Sequence, residues 1–260
     1  MLKKGITGST LKIIAIVAMF IDHVGAVILA RLMLMKGLND LDTANETQVM
    51  EWLDVNGTLY WAYTIVRIIG RIAFPIFCFL LVQGFLHTKD CKKYALRLGI
   101  FALCSEFAFD LAISGTLLEF GYQNVFFTLL LGLLTMMVYR LIEQQEQWAR
   151  WIRFGLGILV LLCGMVAAMF LRTDYGAMGV LAIMVFYMFR KNRQHQMLLG
   201  GAVFLTSQTW AVASLIPIAF YNGKRGWNLK YAFYLFYPLH LLLLYLICCA
   251  LGIGGISTIG

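Results

Sequence analysis

Residues 11–34, LKIIAIVAMFIDHVGAVILARLML, form an apolar run that is interrupted near its middle by Asp22 and His23. A run of about 20 apolar residues crosses the ~30 Å hydrocarbon layer of a bilayer as one helix. This run is longer than the apolar core of roughly 7 to 15 residues in a secretory signal, so we expect a retained first helix. Further spans are predicted at residues 61–86, 94–113, 125–142, 152–171, 176–189, 197–220 and 231–251.

The composition of the whole chain agrees with that interpretation. Of 260 residues 61% are hydrophobic and 13% are charged, whereas about a quarter are charged in an ordinary soluble domain. We therefore predict an all-α integral membrane bundle, with residues 1–260 forming a single domain in contact with the lipid bilayer. The formal charge of +8 is dispersed among short loops, which does not indicate a nucleic-acid partner. The six cysteines form no CxxC pair, and we predict no metal site.

The charges between the spans predict their orientation. Basic residues alternate with acidic or sparse loops, which by the positive-inside rule places the N-terminus in the cytoplasm and the protein in the inner membrane. Residues 36–60 are expected to be an acidic loop on the outer side. Lys224 and Arg225 fit this scheme only if residues 197–220 form a bent pair of segments broken near 207–209. The chain then has nine spans instead of eight.

Polar side chains inside the spans are the candidate functional residues, because a buried charge in a bilayer is costly unless a function or a partner explains it. Lys12 and His23 are eleven residues apart, about three helical turns, so they share one face of the first helix about 16 Å apart along its axis. Histidine suits a general base near neutral pH. Alternatively, His23 only bonds a neighbouring helix. Asp22 points away from that face and could meet another helix.

Arg67 and Arg71 lie one turn apart in the second predicted span. Two guanidinium groups on one face suit a phosphate-bearing cofactor. Alternatively, Glu106 and Asp110, also four residues apart on the next helix, pair with them as a structural charge ladder.

The end of the chain adds further candidates. His240 follows Pro238 in the last span, where a belt of interfacial aromatic residues does not require a histidine. The basic turn that contains Lys224 and Arg225 could hold an anion or anchor the helix at the lipid headgroups.

Taken together, these residues resemble the TraX family. The motifs that carry the resemblance are LKIIA leading to MFIDH at residues 11–23, the Arg67-x-x-x-Arg71 segment leading into FPIF at 74–77, TDYG at 173–176, YNGKRG at 221–226 and FYPLH at 236–240. The likeness spans nearly the whole chain, and the family is in turn similar to a superfamily of integral membrane acyltransferases.

The resemblance implies transfer of an acyl group, commonly acetyl from acetyl-CoA, to an amine or hydroxyl of an acceptor at the membrane. In the namesake protein the acceptor is the N-terminus of pilin. His23 would be the essential residue, with Asp22, Glu106 or Asp110 assisting and Glu106 or Asp110 orienting its ring. Acyl-CoA would lie among the cationic candidates Lys12, Arg67, Arg71, Lys224, Arg225 and His240. The alternative function is a proton-coupled small-molecule transporter that uses the same intramembrane cluster.

Overall fold

Helices account for every named secondary-structure element in residues 5–227 and 230–258, the part of the chain that the computed structural model describes. Two isolated bridges join Ile6 to Tyr221 and Gln123 to Thr173. The α-helices are α1 (Gly8–His23), α2 (Ala30–Met35), α3 (Glu46–Gly70), α4 (Ala73–His87), α5 (Cys91–Ile113), α6 (Val125–Glu143), α7 (Arg150–Phe170), α8 (Gly176–Met188), α9 (Arg193–Ser207), α10 (Leu215–Ala219) and α11 (Lys230–Ala250).

The first apolar run forms one nearly continuous helix of 28 residues, Gly8–Met35. The Thr7 side chain caps its start by accepting a hydrogen bond from the Thr10 amide. A π-helical segment, Val24–Leu29, begins directly after His23 and joins α1 to α2. π-helical turns are rare and often lie at functional sites, because they displace side chains from the regular helical positions.

The prediction of an acidic loop at residues 36–60 is wrong for residues 46–60, because α3 begins at Glu46. The Asn45 side chain caps this helix by accepting from the Gln48 amide. The predicted span at residues 61–86 lies within a longer helical stretch, in which α3 and α4 follow each other with a short break at Arg71 and Ile72. Together, α3 and α4 cover 42 residues, about 63 Å at about 1.5 Å per residue, roughly twice the thickness of the hydrocarbon layer. The acidic first half of α3 is therefore a helix that extends beyond that layer.

Contacts between distant segments define two ends of the bundle. At the first, which we call the N-terminal face, the Gly8 amide donates to the Lys224 carbonyl over 2.8 Å and the Ser9 amide to that of Arg225 over 2.9 Å. At the second, the opposite face, the Thr258 amide donates to the Ile113 carbonyl over 2.8 Å. These contacts place residues 8–9 and 224–225 at one end of the bundle and residues 113 and 258 at the other.

The stretch at residues 197–220 is bent, which is one of the two alternatives that the sequence left open. Helix α9 ends at Ser207, a 3-10 segment follows at Thr209–Ser214, and α10 completes the return. The Arg193 guanidinium, at the start of α9, donates to the Ile218 carbonyl in α10, so the beginning and end of the stretch lie together. The return explains why Lys224 lies beside the N-terminus.

The helices identify a membrane protein. Among the described residues, five stretches are long and apolar enough to cross a bilayer: Gly8–Met35, Glu46–His87, Val125–Glu143, Arg150–Phe170 and Ala232–Ala250. Shorter apolar helices, Gly176–Met188 and Thr209–Ala219, pack among them. Helix α7 shows the lipid-facing pattern most clearly, since its apolar side chains Phe154, Leu159, Leu162 and Val166 are all exposed.

Candidate active site

A cavity of about 340 Å³ lies in the half of the bundle near the opposite face, where α1, the α3–α4 junction and α11 meet. Its walls combine apolar and aromatic side chains with a small number of charged ones, a composition typical of ligand sites. The acidic, basic and histidine residues that line it are Asp22, His23, Arg67, Arg71 and Asp174, and four tyrosines join them: Tyr63, Tyr122, Tyr175 and Tyr237.

Two histidines meet at this cavity. His23 Nδ1 lies 2.7 Å from His240 Nε2, and His240 Nδ1 lies 2.7 Å from the Phe236 carbonyl oxygen. His240 is buried, with 4% of its surface exposed, and its ring stacks on that of Phe236 with centroids 4.7 Å apart. Tyr237 packs edge-on against His23 at 5.8 Å. His240 was predicted to lie among the cofactor-binding cations, and the structure places it against His23.

Asp22, the neighbour of His23, faces α3, one of the orientations that the sequence allowed. Arg67 Nη1 donates to Asp22 Oδ2 over 2.6 Å, and the two side chains are 23% and 16% exposed. Gly70 packs directly against Asp22, where a Cβ atom would overlap the carboxylate. Asp22 Oδ1 is buried and has no hydrogen-bond partner in the part of the chain that the structure describes. The partner of the first arginine is therefore Asp22, not Glu106 or Asp110.

Arg71 lines the same cavity one turn further on. Within the described residues no hydrogen bond or ion pair from a protein group reaches its guanidinium. Asp174, in the turn between α7 and α8, lies across the cavity and accepts a hydrogen bond from the Tyr122 hydroxyl. Burial raises the pKa of the Asp174 carboxyl to about 6, although that hydrogen bond lowers it. The cavity thus offers both a guanidinium and a carboxyl group to a ligand.

The structure does not bring Glu106 and Asp110 to His23. Glu106 accepts a hydrogen bond from the Asn124 side chain, at the start of α6. Asp110 Oδ2 accepts from the Glu119 amide over 2.9 Å. Both carboxylates therefore hold the loop between α5 and α6, and neither makes a hydrogen bond to the His23 ring.

Lys12 and Arg225 lie at the N-terminal face, away from the His23 cavity. They line a cavity of about 430 Å³ that also contains Arg97 and His87. An intervening apolar cavity of about 170 Å³ shares Lys12, Tyr94 and Tyr234 with this basic cavity and shares Met19, Phe77 and Tyr237 with the His23 cavity. The three cavities thus follow one another from the N-terminal face to His23. Lys224 is exposed in the adjoining loop and does not line any of the three.

Sequence reasoning overlooked one fully buried polar residue, Arg31, and one half-buried residue, Asp174. Arg31 is fully buried in α2, and its guanidinium donates to the carbonyls of Val27, Ala112 and Ile256 over 2.5 to 2.9 Å. A charge inside the first apolar run was the signal that could have identified it. The sequence indicated only a turn and a helix start at residues 173–176 and no chemical role for Asp174, whereas the side chain lines the cavity. Among the described residues no group of three histidine, cysteine or acidic side chains is arranged to hold a metal ion.

Nearly the whole chain is similar to a known protein family. A family model described as TraX protein matches residues 7–248. The probable fimbrial assembly protein FimC, serogroup H1, of Dichelobacter nodosus is 29% identical over 264 residues, an alignment that covers 90% of this chain and 92% of that protein. No solved structure matches the chain.

Proposed function

This chain belongs to the TraX family, and we propose that it is a membrane-embedded acyltransferase. It would transfer an acyl group, acetyl in the simplest case, from acyl-CoA to an amine or hydroxyl of an acceptor at the membrane. The observation that carries the proposal is the position of His23 in the wall of a cavity that adjoins, through an apolar cavity, a basic cavity at the N-terminal face.

The donor fits this series of cavities in one direction. The phosphates of acyl-CoA would bind in the basic cavity, where Lys12, Arg97 and Arg225 supply cationic groups. The pantetheine arm would occupy the apolar cavity between α4, α6 and α11. The thioester would then lie at the boundary beside Tyr237, with its carbonyl carbon near His23. In this arrangement Arg67 and Arg71 are too deep for the phosphates and serve the acceptor side.

The acceptor would enter the His23 cavity from the opposite face. Asp174 and Arg71 are positioned to hold a polar or charged acceptor next to His23. His23 would remove the proton from the acceptor amine or hydroxyl, and the lone pair of the acceptor nitrogen or oxygen would attack the thioester carbonyl. A surface-fibre subunit is the acceptor we favour, because the Dichelobacter relative is described as a probable fimbrial assembly protein.

The decisive experiment supplies isotopically labelled acetyl-CoA to the purified protein in lipid nanodiscs, with a fimbrial subunit peptide as acceptor. We expect transfer by the wild type and loss of at least a hundredfold in His23→Ala, the range that general bases contribute. His195→Ala is the matched control, because His195 is an exposed histidine at the start of α9. Equal transfer by wild type and His23→Ala at matched expression would refute the assignment. Proton-coupled flux across vesicles that depends on His23 would indicate the transporter.

We further propose nine crossings, with the N-terminal face in the cytoplasm of the inner membrane, because the basic loops gather at that face. Ala44 is exposed near the start of α3 and Lys224 is exposed at the N-terminal face. In intact cells an impermeant thiol reagent should label Ala44→Cys, and should label Lys224→Cys only after the membrane is opened. The unaltered protein, with its six native cysteines, gives the background. Labelling of Lys224→Cys in intact cells would contradict this topology.

A further inference from the structure

We infer that His240 is a positioning residue that fixes the tautomer of His23, so that the lone pair of His23 Nε2 faces the acceptor. This inference rests on the proposed function for its consequence in catalysis, but its structural part can be measured without any turnover. Two hydrogen bonds in series connect the backbone of α11 to the rings of His240 and His23.

The first step is the hydrogen bond to the backbone. A carbonyl oxygen can only accept, so the nitrogen that lies 2.7 Å from the Phe236 oxygen must carry a proton. His240 therefore has its proton on Nδ1. In a neutral imidazole the other nitrogen is then an acceptor, which leaves His240 Nε2 with an unshared electron pair.

The second step is the contact between the rings. His240 Nε2 lies 2.7 Å from His23 Nδ1, and as an acceptor it requires a proton on that nitrogen. With one proton already on Nδ1, the neutral His23 ring has its lone pair on Nε2. An additional proton on the pair would bury a second positive charge beside Arg67, which is unfavourable in an apolar interior.

The third step is the exposure of the free nitrogen. Within the described residues no hydrogen bond reaches His23 Nε2, and this atom is not among the buried polar atoms that lack partners. The ring itself lines the cavity. His23 Nε2 is therefore open to the cavity, where an acceptor or a water molecule can reach it.

Packing holds the two rings in this arrangement. Phe236 stacks on His240 with an interplanar angle of 14°, and Tyr237 lies edge-on against both imidazoles. Both aromatic residues belong to α11, so the helix that supplies the carbonyl acceptor also sets the angle of the His240 ring. A ring flip of His240 would leave the short contact to Phe236 without a donor.

The reaction balances with this proton arrangement. The acceptor nitrogen or oxygen forms a bond to the thioester carbonyl carbon, and its proton moves to His23 Nε2. The C–S bond then breaks, and the leaving thiolate takes that proton. Throughout, His23 Nδ1–H donates to His240 Nε2, so the imidazolium that forms is stabilised without any rearrangement of His240.

The test compares two substitutions at position 240 by ring-nitrogen NMR of histidine-labelled protein in nanodiscs. The chain has four histidines, so substitution assigns each signal. We expect a protonated Nδ1 and an unprotonated Nε2 for His23 in the wild type. His240→Gln keeps a hydrogen-bond acceptor and should preserve that tautomer. His240→Phe keeps an aromatic ring for packing but has no acceptor, and the proton of His23 should move towards Nε2.

Acyl transfer gives the second readout. His240→Phe should lower kcat by a hundredfold or more with little change in the KM for acyl-CoA, and His240→Gln should recover activity to within about tenfold of the wild type. A wild-type His23 that carries its proton on Nε2, or equal kcat losses for Gln and Phe in equally folded proteins, would overturn the inference. If the wild type shows the expected tautomer but transfers no acyl group, the proposed function fails and the positioning of His23 stands.

Discussion

Replacement of Arg67 by methionine tests the charge pair that holds the site together. The Arg67→Met side chain retains the aliphatic bulk but leaves the Asp22 carboxylate without its 2.6 Å partner. Removal of one partner from a buried ion pair typically costs about 3 to 5 kcal/mol, because the remaining charge is buried without compensation. The two side chains keep 23% and 16% exposure, so we expect the lower end of that range. About 3 kcal/mol lowers the ratio of folded to unfolded protein by roughly a hundredfold.

The assay is an unfolding titration in lipid bicelles, and two further variants make it specific. The double variant Asp22→Asn/Arg67→Met no longer has the unpaired Asp22 carboxylate. About half of the unfolding free energy that Arg67→Met loses should therefore be recovered, which measures the coupling between the two positions. Arg71→Met is the matched control, since this guanidinium lines the same cavity but has no hydrogen-bond partner among the described residues. Arg71→Met should lower the unfolding free energy by less than about 1 kcal/mol. Equal losses for Arg67→Met and Arg71→Met, or strictly additive effects in the double variant, would refute the reasoning.

Three further predictions concern residues other than Arg67 and its ion-pair partner. Gly70→Ala should lower the unfolding free energy by about 1 to 3 kcal/mol, because its Cβ overlaps Asp22, whereas Gly57→Ala, where a Cβ meets open space in the same helix, should raise it slightly. Arg31→Met should cost about 3 kcal/mol and increase hydrogen exchange at the C-terminal segment, since buried carbonyls lose their donor. The raised pKa of Asp174 means that the folded protein binds more protons than the unfolded chain between pH ~4 and 6. The contribution of this carboxyl to stability should therefore fall as the pH rises through that window, and Asp174→Asn should make the measured slope less steep.

The sequence identified the elements whose signal is local. Length and hydropathy predicted the first helix, and the charge of Lys224 favoured the bent alternative for residues 197–220 over a single crossing. The same reasoning failed for the start of α3, because the many acidic residues of 36–60 were interpreted as evidence for a loop. Acidic residues suit the first turns of a capped helix that projects into water, so composition alone does not distinguish the two structures.

Within the site, sequence reasoning identified residues but could not pair them. His23 and Asp22 were evident as polar interruptions of an apolar run. The partner of His23, His240, lies 217 residues away on the last helix, and only the packing of α11 against the π-helical segment places it there. Arg31 illustrates the same limit, since its partners are backbone carbonyls, which every residue carries and no side-chain pattern reveals.

The irregular backbone of three helices explains why the polar groups meet where they do. The π-helical segment begins after His23, the α3–α4 break follows Gly70, and Pro238 removes one backbone donor from α11 two residues before His240. Each irregularity leaves backbone groups without regular helical partners, which a bilayer permits only where protein or a water-filled cavity surrounds them. All three adjoin the same 340 Å³ cavity. In regular α-helices the same side chains would point in other directions and would not meet at one cavity. The polar site therefore depends on these distortions.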